Sequence, residues 1–320
     1  MSQPARRQPV GRLSRGDAQF DRAEMPVQSP AEARARFFSS RHDVTVTRPQ
    51  VPAACFLDEA EAALLSGDTG FFVCDQSGAI GCSFAATTPL MLARYAAIAP
   101  HARLTADFIA TGAIWYVIRG TGTAEIGGER IAFSPRDIFV LPGGAPATLT
   151  AFDGGAVLWV VTNEPQLALD GLRPAPFGTG PIEIVRYGVA EIVTQLTKLV
   201  EAPDGEAIPG AALILSNARQ EERRHIMPSL TLSLNTLPPG GQQRCHRCNS
   251  AAVTLVLLGD DCHSMVGGQR CAWTPFATLV TPAGESHSHH NASDRRAMVL
   301  TVQDSGLHDH ARTMDIVSLD

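Results

Sequence analysis

Gly127-Gly128-Glu129-Arg130-Ile131-Ala132-Phe133-Ser134-Pro135 returns 140 residues later as Gly267-Gly268-Gln269-Arg270-Cys271-Ala272-Trp273-Thr274-Pro275. A further proline follows each copy at the same spacing, Pro142 and Pro282. The similarity extends outward: 115–120 (WYVIRG) parallels 254–259 (TLVLLG), and 156–161 (AVLWVV) parallels 297–302 (AMVLTV). A period this long is far beyond a solenoid unit, so the chain contains a duplicated domain. Each copy consists of short apolar runs rich in β-formers, separated by Gly, Pro, Asp and Ser; examples are 114–118, 138–141, 157–161, 230–234, 253–258, 278–281 and 298–302. Short strands at regular spacing with turn signals predict a sandwich or barrel. The expectation is an all-β fold of two barrels in tandem, joined by a short helix.

Between the copies, 188–200 (GVAEIVTQLTKLV) carries apolar residues at helical spacing and is the strongest helix in the chain. Residues 202–209 (APDGEAIP) read as a loop, 30–37 as a short helix, and the first two dozen residues as a mobile arm. The expected organisation is an arm and lead-in over 1–84, a first barrel over 85–165, a linker with its helix over 166–228, and a second barrel over 229–320.

Of 320 residues 44% are hydrophobic and 18% charged, with a net charge of −6. This excludes wholesale disorder and, lacking a basic run, argues against nucleic acid or an anionic membrane as partner. No stretch approaches the roughly 18 to 20 apolar residues of a membrane span, and the first 24 residues carry no apolar core of a secretory signal. Seven cysteines, an odd number without a framework pattern, predict reduced thiols and a cytoplasmic protein.

The histidines separate the two copies. Seven of ten (His246, His263, His287, His289, His290, His308 and His310) follow residue 245, whereas the first copy holds only His101. Side chains at i and i+2 of a strand share a face, so His246 points with Cys248 and His287 with His289. Imidazole and thiolate groups converging inside a barrel are a transition-metal pattern.

These residues carry a family resemblance. Gly240, His246, Cys248 and Gly259 resemble the first motif of the cupin barrel, G-x5-H-x-H-x3,4-E-x6-G, with Cys248 in place of the second His and Ala252 in place of the Glu. Pro282, Gly284, His287 and Asn291 resemble the second motif, G-x5-P-x-G-x2-H-x3-N. The duplicated layout resembles the gentisate, salicylate and 1-hydroxy-2-naphthoate ring-cleaving dioxygenases, bicupins that hold Fe(II) with three histidines and no motif Glu. The resemblance covers roughly residues 85 to 315.

It implies two jelly-roll barrels in tandem, and a metal held by His246, Cys248 and His287 in the second alone. His289 is either the third ligand in place of Cys248 or a donor beside the metal that positions substrate. Cys248 either ligates as thiolate or packs as a small buried hydrophobe. Iron(II) is the expected metal, with copper or another divalent transition metal as alternatives if thiolate ligates. Arg244, two residues before His246, is a counter-ion for a substrate carboxylate or a rim arginine. The implied partners are a small aromatic acid and O2, in a homodimer or homotetramer. The rival readings are another cupin metalloenzyme with a His2Cys site, such as a biosynthetic oxidase or isomerase, and a small-molecule-binding cupin without catalysis.

Other residues have plainer readings. Arg247 and His290 face the opposite way, Asn291 caps a turn, Cys262 and Cys271 pack in a core, and Cys245 with Cys248 does not make a zinc knot. His308 and His310 belong either to a closing C-terminal segment or to the surface. The same ligand positions shifted by 139–140 residues fall on Asp107, Ile109 and Ala147, so the first barrel is expected to hold no metal.

Overall fold

The computed structural model describes residues 29–38, 49–201 and 211–319; the arm over the first two dozen residues and the loop over 202–209 lie outside these. The residues up to Pro49 form one unit, described here by the helix Pro30–Arg34. Ser29 caps it reciprocally with Glu32, and Pro30 opens the first turn. The helix expected over 30–37 ends at Arg34, with Ala35 extended. None of its residues is buried, so beyond the cap nothing supports further turns.

The second unit, Gln50–Asp320, contains both copies. In the first copy one antiparallel sheet runs in the order Gly70–Val73, Leu92–Ile98, Ala147–Thr162, Gly112–Ile126, Ile138–Pro142, Val185–Tyr187. Arg103–Ala106 also pairs with Ala147–Thr162, and Glu129–Phe133 with Gly112–Ile126. The two long central strands slip register at Val117/Arg119 and Gly120/Gly122, bulges that let the sheet roll into a barrel. Gly120 is needed there: its φ is 83°, and a Cβ would lie 2.0 Å from the Gly155 carbonyl oxygen.

The second copy has two facing sheets. One runs Ala54–Phe56, Thr278–Thr281, Ala252–Leu258, Ala297–Gln303, Thr231–Leu237, Ala211–Leu215. The other runs Gln269–Ala272, Cys262–Val266, Ser286–Asn291, His246–Cys248, Ile316–Ser318. Four strands thus lie outside the barrel spans 85–165 and 229–320. Gly70–Val73 and Val185–Tyr187 edge the first sheet, and Ala54–Phe56 and Ala211–Leu215 edge the six-stranded one. Runs of three to five residues are too short for a periodic signal, and only pairing makes them strands.

The helix expected over 188–200 is observed as Val189–Glu201, burying Ile192 and Leu196 one turn apart. No helix among the described residues is long and apolar enough to cross a membrane. Cys55, Cys74, Cys248, Cys262 and Cys271 are free thiols.

Two cores result. Leu232, Leu234, Val253, Leu255, Leu300 and Val302 turn away from the second barrel's interior and join Ile114, Tyr116, Trp159 and Val161 of the first in one shared core. Tyr95 Oη donates to the Phe276 carbonyl at 2.6 Å, and Trp159 Nε1 to Thr278 Oγ1 at 2.9 Å, tying the copies together. The first barrel's own interior is closed by stacked rings: Trp115 lies 5.8 Å from Phe139 and 6.0 Å from Phe108, with Phe133 5.9 Å from Phe139. The void beside them is about 20 Å³, room for little more than one water.

Candidate metal centre

The second barrel is hollow. Its cavity, about 670 Å³, is lined by His246, Cys248, His287 and His289 from the five-stranded sheet, with Arg244 at the rim. Gly284, at φ 79°, turns the chain after Pro282 and donates its N–H to the Cys248 carbonyl at 2.7 Å, locking the second motif onto the first. The strand Ser286–Asn291 then pairs with His246–Cys248 so that His287 stands directly opposite His246. Their ring centroids are 4.2 Å apart.

Each of these imidazoles holds a carbonyl two residues earlier: His246 Nδ1 lies 3.0 Å from Arg244 O, and His287 Nδ1 3.0 Å from Glu285 O. A carbonyl only accepts, so Nδ1 carries the hydrogen and Nε2 keeps its lone pair. That tautomer is the one a metal requires, fixed by the outer hydrogen bond. Burial pushes the His287 pKa below its ordinary value, the Glu285 carbonyl opposes this, and His246 adds to it. Neutral nitrogen donors suit first-row divalent metals.

The third position is less complete. Cys248 is 4% exposed, lines the cavity, and has Sγ 2.9 Å from Ser250 Oγ. His289 lies with its ring 5.9 Å from His287. Its Nδ1 is 2.8 Å from Ser264 Oγ, which also accepts from Trp273 Nε1 at 2.8 Å. The indole can only donate, so Ser264 Oγ accepts from it and either gives its own hydrogen to His289 Nδ1, which leaves N–H on Nε2, or accepts from Nδ1–H as well, which leaves Nε2 its lone pair. Burial drives the His289 pKa down to about 3, with His287, His246 and His290 contributing. Among the described residues no three His, Cys, Asp or Glu side chains are grouped closely enough to hold an ion. The pair fits a metal, and its third ligand is not assembled beside it.

The other residues read from sequence fall as follows. Ala252, at the position of the motif Glu, contributes only a methyl group to the cavity wall. Among the described residues lining the cavity, Arg244 is the one with a formal charge. Arg247 is exposed, and His290 stacks on His263 at 4.6 Å. Buried Asn291 pins its turn by donating to the Leu237, Pro238 and Arg295 carbonyls and accepting from Ser293. Cys262 is buried in an apolar cluster with Trp273 and Leu279, whereas Cys271 is partly exposed. His308 meets Asn249 in the closing segment, and His310 lines a separate hollow with Arg223, His225, Asp309 and Arg312.

Strand pairing corrects the mapping onto the first barrel. His246 faces His287, and Ala106 faces Ala147 at the same place, so His246 corresponds to Ala106 and not Asp107. Cys248 then corresponds to Phe108 and not Ile109. A one-residue difference in the preceding loop shifts the sequence offset but not the register. The partnership of Ser264, on Cys262–Val266, with Trp273, just past the strand Gln269–Ala272, has no signal in the sequence pattern.

No protein-family model matches the chain, and no curated protein matches its sequence. Among solved structures, a variant of the salicylate 1,2-dioxygenase of Pseudoaminobacter salicylatoxidans aligns at TM-score 0.70 and 15% identity, covering 87% of this chain and 92% of that one. Another variant of that enzyme, in complex with gentisate, aligns at TM-score 0.71 and 14% identity over 94% and 99% of the two chains. An oxalate decarboxylase aligns at TM-score 0.51 and 14% identity over 80% and 76%. The chain has the fold of these proteins: two cupin barrels in tandem.

Proposed function

We propose that the chain is a metal-dependent oxidoreductase, an Fe(II) dioxygenase acting on an ortho-hydroxy aromatic carboxylic acid, with its centre in the second barrel. The observation that carries this reading is the facing pair His246 and His287, each held by a backbone carbonyl in the tautomer that leaves Nε2 free. In this reading Cys248 is the third ligand, and His289, in the tautomer in which Ser264 donates to its Nδ1, is the donor. Iron bound there would supply open coordination positions for substrate and O2 and the electron transfer between them.

The side chains do the rest. Arg244 pairs with the substrate carboxylate at the rim, a charge-assisted contact that orients the molecule. His289 holds a hydrogen at Nε2 and directs it at a substrate oxygen, its ring fixed through Nδ1 by Ser264 and Trp273. The gentisate complex of a structural neighbour supports a small aromatic substrate. The fold by itself fixes no reaction.

Metal content by mass spectrometry, followed by oxygen uptake with salicylate, gentisate and 1-hydroxy-2-naphthoate, tests the reading. The expected result is bound iron and uptake with at least one acid. Bound metal without uptake favours a second reading, an oxidase or isomerase with a His2Cys centre, to which the position of Cys248 on the cavity wall lends weight. Absence of metal at saturation overturns both.

A further inference from the structure

The wall opposite the histidines is not built like the corresponding wall of the first barrel. Register identifies equivalent inward positions: Trp115 pairs with Val160 as Thr254 pairs with Thr301. By the same register Leu141 corresponds to Thr281, and Ala96 to Asn235. At four equivalent places an apolar side chain gives way to one that makes hydrogen bonds. The fold does not demand polarity at these four, because the first barrel is apolar there; at Ser233 and Gln303 the first barrel is polar too, with Arg94 and Thr162.

The exchange is confined to one face. On Thr231–Leu237, Leu232 and Leu234 join the shared core, while Ser233 and Asn235 line the cavity. On Ala297–Gln303, Leu300 and Val302 face the core, while Thr301 and Gln303 face the cavity. Asn235 Nδ2 donates to Ser233 Oγ at 2.9 Å, and the Thr254 and Thr301 hydroxyls meet at 3.2 Å. These contacts leave the Asn235 carbonyl, its second N–H and several hydroxyl lone pairs for a ligand.

From this wall we infer that the substrate is a polyoxygenated carboxylic acid, one that turns several hydroxyl or carbonyl groups toward Ser233, Asn235, Thr254, Thr281, Thr301 and Gln303. This rests on the reading of the cavity as a metal-dependent active site, and it narrows the substrate. A bare hydrocarbon ring seated against that wall displaces water and leaves the wall's polar groups unpaired, which a site built to hydrogen-bond penalises. An oxygenated ligand replaces the water bond for bond.

Isothermal titration calorimetry on the full chain loaded with Fe(II), without oxygen, tests this with salicylate, 2,5-dihydroxybenzoate, 2,4,6-trihydroxybenzoate and gluconate. Affinity is expected to rise about two- to tenfold per added hydroxyl, as one net hydrogen bond each would give. The variant Ser233→Ala/Thr254→Val/Thr301→Val should flatten the ranking and leave salicylate unchanged or tighter, with Thr254→Val alone measured in case the triple variant does not fold. Equal affinities in the unaltered chain, or a ranking that survives the substitutions, would overturn the inference and leave the wall serving water alone. Gluconate binding with no benzoate bound would support the polar wall and refute the aromatic substrate. A ranking without metal uptake would support the wall and refute the metal reading, and binding of none of the four acids would overturn wall and aromatic substrate together.

Discussion

Ala106 and Ala147 face each other in the first barrel at the register position that His246 and His287 occupy in the second. Two methyl groups cannot hold an ion, and the neighbouring Phe108 fills the space beside them with its ring. One metal per chain is therefore expected at saturation, lost in His246→Ala and in His287→Ala alike. Mass spectrometry of the dialysed protein measures this, and a stoichiometry near two would refute it.

Cys248 and His289 compete for the third ligand position. If the thiolate binds, Cys248→Ala weakens metal binding and alters the charge-transfer spectrum, while Cys248→His keeps the metal on imidazole. If Cys248 only packs, its truncation leaves metal affinity unchanged and costs about 1 kcal/mol, and His289→Ala strips the metal instead. Stoichiometric metal in both alanine variants would eliminate both assignments.

Ser264→Ala removes the group that partners Trp273 Nε1 and His289 Nδ1 together. Leaving two polar atoms unpaired is expected to cost about 2 kcal/mol of stability, read from denaturant midpoints. Metal affinity should change little if His289 is the donor of the proposed reading. A severalfold loss of metal in this variant would instead place His289 among the ligands.

Asp304 gives the fold a pH dependence of defined sign. Burial pushes its carboxyl up to about 6, against the pull of the Ala251 N–H and His308. Between its unfolded value near 3.8 and about 6 the folded chain keeps a proton that the unfolded chain releases. Its contribution to stability is thus complete below that window and lost as pH rises through it. Asp304→Asn should remove this slope, gaining about 2 to 3 kcal/mol relative to the parent between pH 4 and pH 7. Parallel urea titrations at the two pH values check it, and identical slopes in both proteins would sink the assignment.

The duplication was legible because turns repeat residues: Gly127-Gly128 and Gly267-Gly268 sit at positive φ in both barrels, a demand that only a few residue types meet. The helix over 188–200 was legible because Ile192 and Leu196 mark one buried stripe. The facing of His246 and His287 was legible because the turn at Gly284 constrains the spacing of the second motif. The equivalence of His246 with Ala106 was not, because a loop absorbs one residue without moving the strand pairing. Nor was the polar wall, since Ser233, Thr254 and Thr301 fall singly among apolar neighbours and meet only across strands. The strand at Ala54–Phe56 gave no local signal, as its partner is remote in sequence.

That remote partner has a consequence for how the chain is made. Ala54–Phe56 is synthesised before either barrel, yet its hydrogen bonds go to Thr278–Thr281, among the last strands to emerge. The shared core likewise joins side chains from both copies. On the ribosome the first barrel's outward face, with Ile114, Tyr116 and Trp159, must wait uncovered for most of the second copy. The two copies share that core and are not divided into separate compact units, so, cut between them, each would retain an apolar face that only the other covers.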